Sequence, residues 1–168
     1  MPPTVNDAAS GQPHRYRNFR QPSGRYALVF AIHSRTVELA WIEVQRILDH
    51  DRWVAREKIR RVAQLFFFAE SDEVREMGAA LKDTEIFFEE EAEHSAIKQI
   101  IFDRFLNFLK DSLPQETSID RVNFCTQMLL TVIEQVGRAV ATLKLPRDGV
   151  DQWAQACADM IADYLGLP

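Results

Sequence analysis

Apolar residues recur at helical spacing from residue 25 to the end of the chain, and residues 25–113 contain no proline. Apolar positions three, four or seven residues apart share one face of a helix, so this pattern predicts amphipathic helices. A first stripe from Leu28 to Ile47 predicts a helix over about residues 25–49. A second stripe from Ile59 to Ala69, with Asp51 as a possible cap, predicts a helix over about residues 51–70.

Capping residues and prolines mark the later helices. Ser71 and Asp72 are typical of a helix start, and Gly78 of a weak point or an end, which predicts a short helix over residues 71–78. A long helix is predicted over residues 83–113, the next from a Ser118 cap to residue 146, and the last over residues 148–166. Strand-like alternation bounded by hairpin turns does not occur in the sequence. We therefore expect an all-α bundle of about six helices.

Residues 1–24 differ in composition from the rest of the chain. They contain four of the seven prolines and carry Arg15, Arg17 and Arg20 against the single acid Asp7. Proline removes a backbone donor and disfavours helix in the residue before it. The sequence therefore predicts a basic arm at residues 1–24 and one all-α domain at residues 25–168.

Length and composition exclude several classes of protein. A chain of 168 residues with 46% hydrophobic content is of single-domain size and can form a core, which excludes disorder throughout. The net charge of −5 excludes a globally basic nucleic-acid binder. Neither a membrane span of roughly 18 apolar residues nor a signal-peptide core occurs, so we expect a cytoplasmic protein without a membrane partner.

The segment from Glu70 to Glu93 is strongly acidic and contains a Glu-x-x-His sequence. It contains ten acidic residues and only two basic ones, Arg75 and Lys82, so this surface would repel DNA phosphates. A di-iron carboxylate bundle requires two Glu-x-x-His pairs and two further glutamates, and this sequence has only one such pair, Glu91-x-x-His94. A single divalent ion held by His94 and neighbouring carboxylates is an alternative, but we expect a solvated acidic face and no metal centre.

The sequence offers no motif for catalysis. It has no glycine-rich phosphate loop, no nucleophile elbow and no Ser/His/Asp signature. Cys125 and Cys157 lack the paired spacing of a disulfide framework, and no histidine is placed to activate either thiol. We interpret both cysteines as small buried hydrophobes in a reduced compartment, and we expect neither enzyme activity nor a cofactor.

Two aromatic runs, Phe66–Phe68 and Phe87–Phe88, cannot lie wholly on one core face, because consecutive helical residues point about 100° apart. At least one member of each run therefore faces a cavity, another subunit or solvent. Together with other aromatic residues they predict a pocket for an apolar small molecule, with plain core packing as the alternative. The predicted pocket residues are Trp41, Phe66, Phe67, Phe87, Phe88, His94, Phe102, Phe105 and Met128.

The last two predicted helices have wide apolar faces. Gly137 and Ala141 are four residues apart and would allow another helix to approach closely. We expect a two-fold homodimer through these helices, burying about 2,000 Å² or more if obligate, with packing inside one chain as the alternative. The predicted interface residues are Met128, Ile133, Gly137, Ala141, Trp153, Cys157 and Met160.

Four segments in order resemble the TetR/AcrR family of bacterial transcriptional regulators. Residues 16–19, Tyr-Arg-Asn-Phe, look like the end of the family's recognition helix, and residues 53–66 are similar to its first ligand-domain helix. Residues 102–114 and 153–165 look like its long central helix and its closing interface helix. The resemblance implies a repressor with an N-terminal helix-turn-helix and a C-terminal helical domain that binds a small ligand and dimerises. It also implies that Tyr16, Arg17, Asn18 and Arg20 contact DNA.

The start of the chain departs from this family pattern. Only 15 residues precede Tyr16, and Pro13 interrupts the position of the recognition helix. A reading helix needs its partner helices to stay in the major groove, so we expect a vestigial region that binds DNA weakly or not at all. One alternative is an interaction protein that forms mixed dimers with an intact regulator. A metal-dependent helical bundle is the other.

Overall fold

The computed structural model describes the backbone of residues 25–77 and 92–168, and the side chains of residues 31–76, apart from His33, and 97–168. These residues form five helices and no strand, which confirms the all-α prediction. The helices are α1 (Arg25–Leu48), α2 (Ala55–Met77), α3 (Ala92–Ser112), α4 (Ile119–Thr142) and α5 (Arg147–Leu165).

The prediction of a separate helix over residues 71–78 is wrong for residues 71–77, because α2 continues through Ser71 and Asp72 to Met77. Ser71 is buried and follows Ile59, Ala63 and Phe67 at four-residue intervals, so it lies on the buried stripe of α2. Tertiary packing therefore keeps this position helical despite its local capping signal. The predicted helix residues 83–91 lie outside the described residues.

Helix α2 is central to the described part of the bundle. It packs against α1, α4 and α5, while α4 also contacts α3 and α5. Each helix contributes large buried side chains to one core, among them Val44, Ile59, Phe67, Phe105, Leu109, Leu129, Val150 and Ile161. None of the helices in the described ranges is long and apolar enough to cross a membrane.

Local signals set the start of α4 and the end of α5 as predicted, whereas α4 ends at Thr142 instead of Pro146. The Ser118 side chain accepts a hydrogen bond from the backbone N–H of Arg121 at 3.3 Å, which is N-cap geometry. Gly166 ends α5 with φ of 67°, a left-handed conformation that glycine adopts without steric cost. The backbone N–H of Leu167 then donates to Ala162 O at 2.9 Å, which directs the buried Leu167 side chain into the core.

Candidate functional site

The outward faces of α4 and α5 carry large apolar side chains that nothing in the described chain covers. We call Phe124, Trp153, Met160 and Tyr164, each 48–58% exposed, the outer aromatic face. Trp153, Met160 and Tyr164 are spaced by seven and four residues, which places them along one line of α5. Adjacent exposed apolar side chains of this size mark an interaction surface more often than isolated ones do.

Arg121 connects the two helices of this face. Its guanidinium donates to Tyr164 Oη at 3.1 Å and lies 5.1 Å from the centroid of the Tyr164 ring and 5.5 Å from that of Phe124. The hydrogen bond to Tyr164 is the main cause of the raised pKa of Arg121. The beginning of α4 therefore lies beside the end of α5, and the Phe124 and Tyr164 rings both lie next to the Arg121 guanidinium.

Ion pairs of Asp159 and Asp163 on α5 join this helix to α2. Arg60 contacts Asp159 at 2.9 Å, and Arg56 contacts Asp163 at 2.5 Å and Asp159 at 3.5 Å. Arg56 also donates to the Leu167 carbonyl at 3.3 Å. The hydrogen bond from Arg60, followed by the charges of Arg60 and Arg56, lowers the pKa of Asp159 despite its partial desolvation. These contacts fix the orientation of α5 and hence the direction in which Trp153 and Met160 point.

The predicted interface residues divide between the interior and the surface of the chain. Ile133, Gly137, Ala141 and Cys157 are buried inside the chain, and burial raises the pKa of the Cys157 thiol. Met128 is partly buried against the core. Trp153 and Met160 are exposed, and they lie on the outer aromatic face.

Gly137 makes its close approach within the chain. A Cβ atom at this position would lie 3.2 Å from Phe67 Cδ2. Because Gly137 has no side chain, α4 leaves room for the Phe67 ring of α2. The predicted interface did not include Arg121, Phe124 or Tyr164. Phe124 is out of phase with the buried residues Val122, Cys125 and Leu129, and that phase difference is a usable signal.

The predicted pocket residues do not all share one environment. Phe67 and Phe105 are completely buried in the core, whereas Trp41, Phe66, Phe102 and Met128 are partly buried. Phe87, Phe88 and the side chain of His94 lie outside the described residues, as do Tyr16, Arg17, Asn18 and Arg20. Pocket and DNA-contact roles for these residues stay predictions.

An open hollow of about 810 Å³ lies where α1 turns into α2. His50 stacks on Trp53 with ring centroids 3.7 Å apart, and the Arg61 guanidinium carbon lies 4.0 Å from the Trp53 ring centroid. Arg104 of α3 also donates to Asp49 at this turn. The lining residues are Ile42, Gln45, Arg46, Asp49, His50, Asp51, Arg52 and Trp53.

A second, more enclosed cavity of about 390 Å³ lies between the end of α2 and the turn from α4 to α5. Its walls contain Ser71, Val74 and Arg75 of α2, with Lys144 and Leu145 opposite. Among the predicted pocket residues whose side chains are described, none lines this cavity or the open hollow.

Metal binding has no further support from the structure. Among the described side chains, which are those of residues 31–76 apart from His33 and of residues 97–168, no cluster of three or more His, Cys, Asp or Glu is arranged to hold an ion. Glu91 and the side chain of His94 are outside the described set.

Neither a model of a known protein family nor a curated protein matches the chain.

Proposed function

We propose that residues 25–168 are the ligand-sensing and dimerising domain of a TetR-like transcriptional regulator, and that residues 1–24 are a degenerate DNA-binding region. The observation that carries this proposal is the outer aromatic face of α4 and α5. In the resemblance that the sequence suggests, the closing helices supply the subunit interface. Two copies of this chain pack these faces together around a two-fold axis.

The chemistry of the face fits a protein interface. Trp, Tyr and Arg are the residues that most often carry binding energy at interfaces, and Trp153, Tyr164 and Arg121 lie here together with Met160. The salt bridges from α2 to Asp159 and Asp163 orient α5 in the single chain, so little ordering is needed on association. A pre-oriented apolar face favours a stable homodimer.

Ligand sensing rests on the partly buried aromatic residues next to the core. Trp41 of α1 and Phe66 of α2 pack against the core without being enclosed by it, as does Met128 of α4. A ligand between these helices changes how α1 lies against α2, and α2 contacts both interface helices. This transmits a signal only if the ligand binds the two arrangements with unequal affinity.

Sedimentation equilibrium over a wide range of protein concentration tests the dimer. We expect a mass of twice 19.4 kDa for the wild type and a monomer for the Trp153→Glu/Met160→Glu double variant. Ile100→Glu is the matched control, since Ile100 is equally exposed but lies on α3. A concentration-independent monomer of the wild type, or equal dissociation in the control, would refute the proposed interface.

The neutral apolar dye N-phenyl-1-naphthylamine tests the ligand proposal. We expect saturable fluorescence enhancement and a raised Tm in the wild type, since a ligand that binds only the folded state stabilises it. Trp41→Ala is expected to weaken dye binding, with Trp153→Ala as the control for loss of a tryptophan elsewhere. Dye affinity that is equal in both variants and the wild type would contradict a ligand near Trp41.

A further inference from the structure

The cavity between the end of α2 and the α4–α5 turn combines apolar walls with two cations. Val74, Ala141 and Leu145 provide the apolar surface, while Arg75 and Lys144 are its charged lining residues. None of the lining side chains among the described residues is acidic. The lining therefore favours an occupant with a negative group and an apolar part.

Ser71 contributes a polar group that has no partner. The residue is 8% exposed, and its hydroxyl oxygen makes no hydrogen bond in the described structure. Buried polar atoms are nearly always paired, because leaving one unpaired destabilises the fold. Ser71 lines the cavity, and a serine hydroxyl can donate a hydrogen bond to an oxygen of a bound molecule.

Lys144 is held in an unusual backbone conformation at the cavity wall. Its φ of 52° is in the left-handed region, and it is the only residue other than glycine with positive φ in the described ranges. Lys144 directly follows the last residue of the α4 cap, a position where glycine is the usual choice. It has no carboxylate partner among the described side chains. A lysine therefore occupies a position where glycine would cost less conformational free energy.

Arg75 keeps most of its donors free for a ligand. It pairs with Asp72 on the same helix at 3.3 Å through a single nitrogen. A guanidinium has five N–H donors, so this contact leaves others available. Both cations of the cavity lining therefore have N–H donors that a bound anion can use.

We propose that this cavity binds a small organic carboxylate with a short apolar tail. The carboxylate contacts Lys144 and Arg75 and accepts a hydrogen bond from Ser71, and the tail lies against Val74, Ala141 and Leu145. The cavity volume of about 390 Å³ is near the lower end for small-molecule sites, which selects short ligands. This site is separate from the aromatic residues near Trp41 and from the outer aromatic face, and it depends on neither.

Isothermal titration with hexanoate tests the site in the wild-type chain. We expect a dissociation constant on the order of 1 mM, with no detectable heat from hexan-1-ol, hexylammonium or inorganic phosphate. In a ¹H–¹⁵N correlation spectrum, hexanoate should shift the amide signals of residues 71–75 and 144–145. Absence of hexanoate binding, binding of hexan-1-ol with equal affinity, or shifts centred elsewhere would each overturn the proposal.

Two variants separate binding from folding. Lys144→Gly relieves the left-handed backbone and should therefore raise Tm while weakening hexanoate binding at least about tenfold. Ser71→Ala should preserve the fold, since it removes an unpaired hydroxyl, and weaken binding severalfold. Lys110→Gln, an exposed lysine on α3 that is remote from the lining, is the control and should bind like the wild type. Undiminished binding by Lys144→Gly would overturn the assignment, whatever the oligomeric state.

Discussion

Arg121 at the start of α4 donates a hydrogen bond of 3.1 Å to Tyr164 Oη near the end of α5, across 43 positions of the chain. This contact brings the Phe124 and Tyr164 rings to the same cation. It also makes the two helices present their exposed aromatic residues in one direction, which is what a shared interface requires.

Tyr164→Ala should weaken the dimer without unfolding the monomer. Tyr164 is about half exposed, so its truncation removes little buried area from the single chain. At an interface, truncation of a central tyrosine typically weakens association by about tenfold or more. Analytical ultracentrifugation of Tyr164→Ala beside Leu39→Ala, a similarly exposed residue on α1, measures this difference. Identical dissociation constants would argue against a role of Tyr164 in association.

Asp159→Asn should destabilise the fold at neutral pH by less than about 1 kcal/mol, the usual range for partly exposed ion pairs. Asp159 pairs with Arg60 and Arg56, and its pKa is lowered in the folded protein. A lowered folded-state pKa means that the stabilisation is present above the unfolded-state value of about 3.9 and is lost as the pH falls below it.

Urea unfolding of the wild type and Asp159→Asn at several pH values measures this effect. The difference between the two proteins should shrink as the pH falls through the lowered pKa. Asp111→Asn, at an exposed position with no ion pair in the described structure, is the control. A stability difference that is the same at every pH would assign the effect to packing instead of charge.

Gly137→Ala should destabilise the protein by about 1 kcal/mol, although alanine is the better helix former. The new Cβ would lie 3.2 Å from Phe67 Cδ2, and Phe67 is completely buried, so its ring has little room to move. Phe67→Leu removes part of the ring and should reduce the cost of Gly137→Ala. Chemical denaturation of both single variants and the double variant tests this, and strictly additive effects would exclude the close contact.

DNA binding should be weak and should lack discrimination between sequences. In residues 1–24, Arg15, Arg17 and Arg20 can at most neutralise a few phosphates, which predicts a slope of about −3 for log K against log salt concentration. Fluorescence anisotropy at physiological salt, with random duplexes and candidate operators, measures both affinity and discrimination. Tight, selective binding would show that the start of the chain forms a working DNA-reading region.

The sequence was sufficient where local chemistry decides the structure. The Ser118 cap and the Gly166 terminus of α5 depend on a few neighbouring residues, and the structure confirms both. Ser71 was misjudged because its capping tendency is local, whereas its burial on the stripe of α2 depends on helices distant in sequence.

The candidate interface was harder to predict because α4 and α5 each have apolar residues in more than one direction. The periodicity of the sequence shows that each helix has more than one apolar face, but it does not show which face packs against α2. Gly137 and Cys157 were therefore included in the predicted interface although they are buried within the chain, while Phe124 and Tyr164 were not included. Only the three-dimensional packing of α2 distinguishes the two faces.

The position of α2 also governs when the chain can fold during synthesis. Arg60 finds its partner Asp159 only 99 residues later, and Arg56 reaches the Leu167 carbonyl 111 residues later. On a translating ribosome, the part of α2 that packs against α5 stays uncovered until α5 has left the exit tunnel. Nascent chains halted before α5 should consequently recruit chaperones, whereas chains halted after α5 has emerged should recruit fewer.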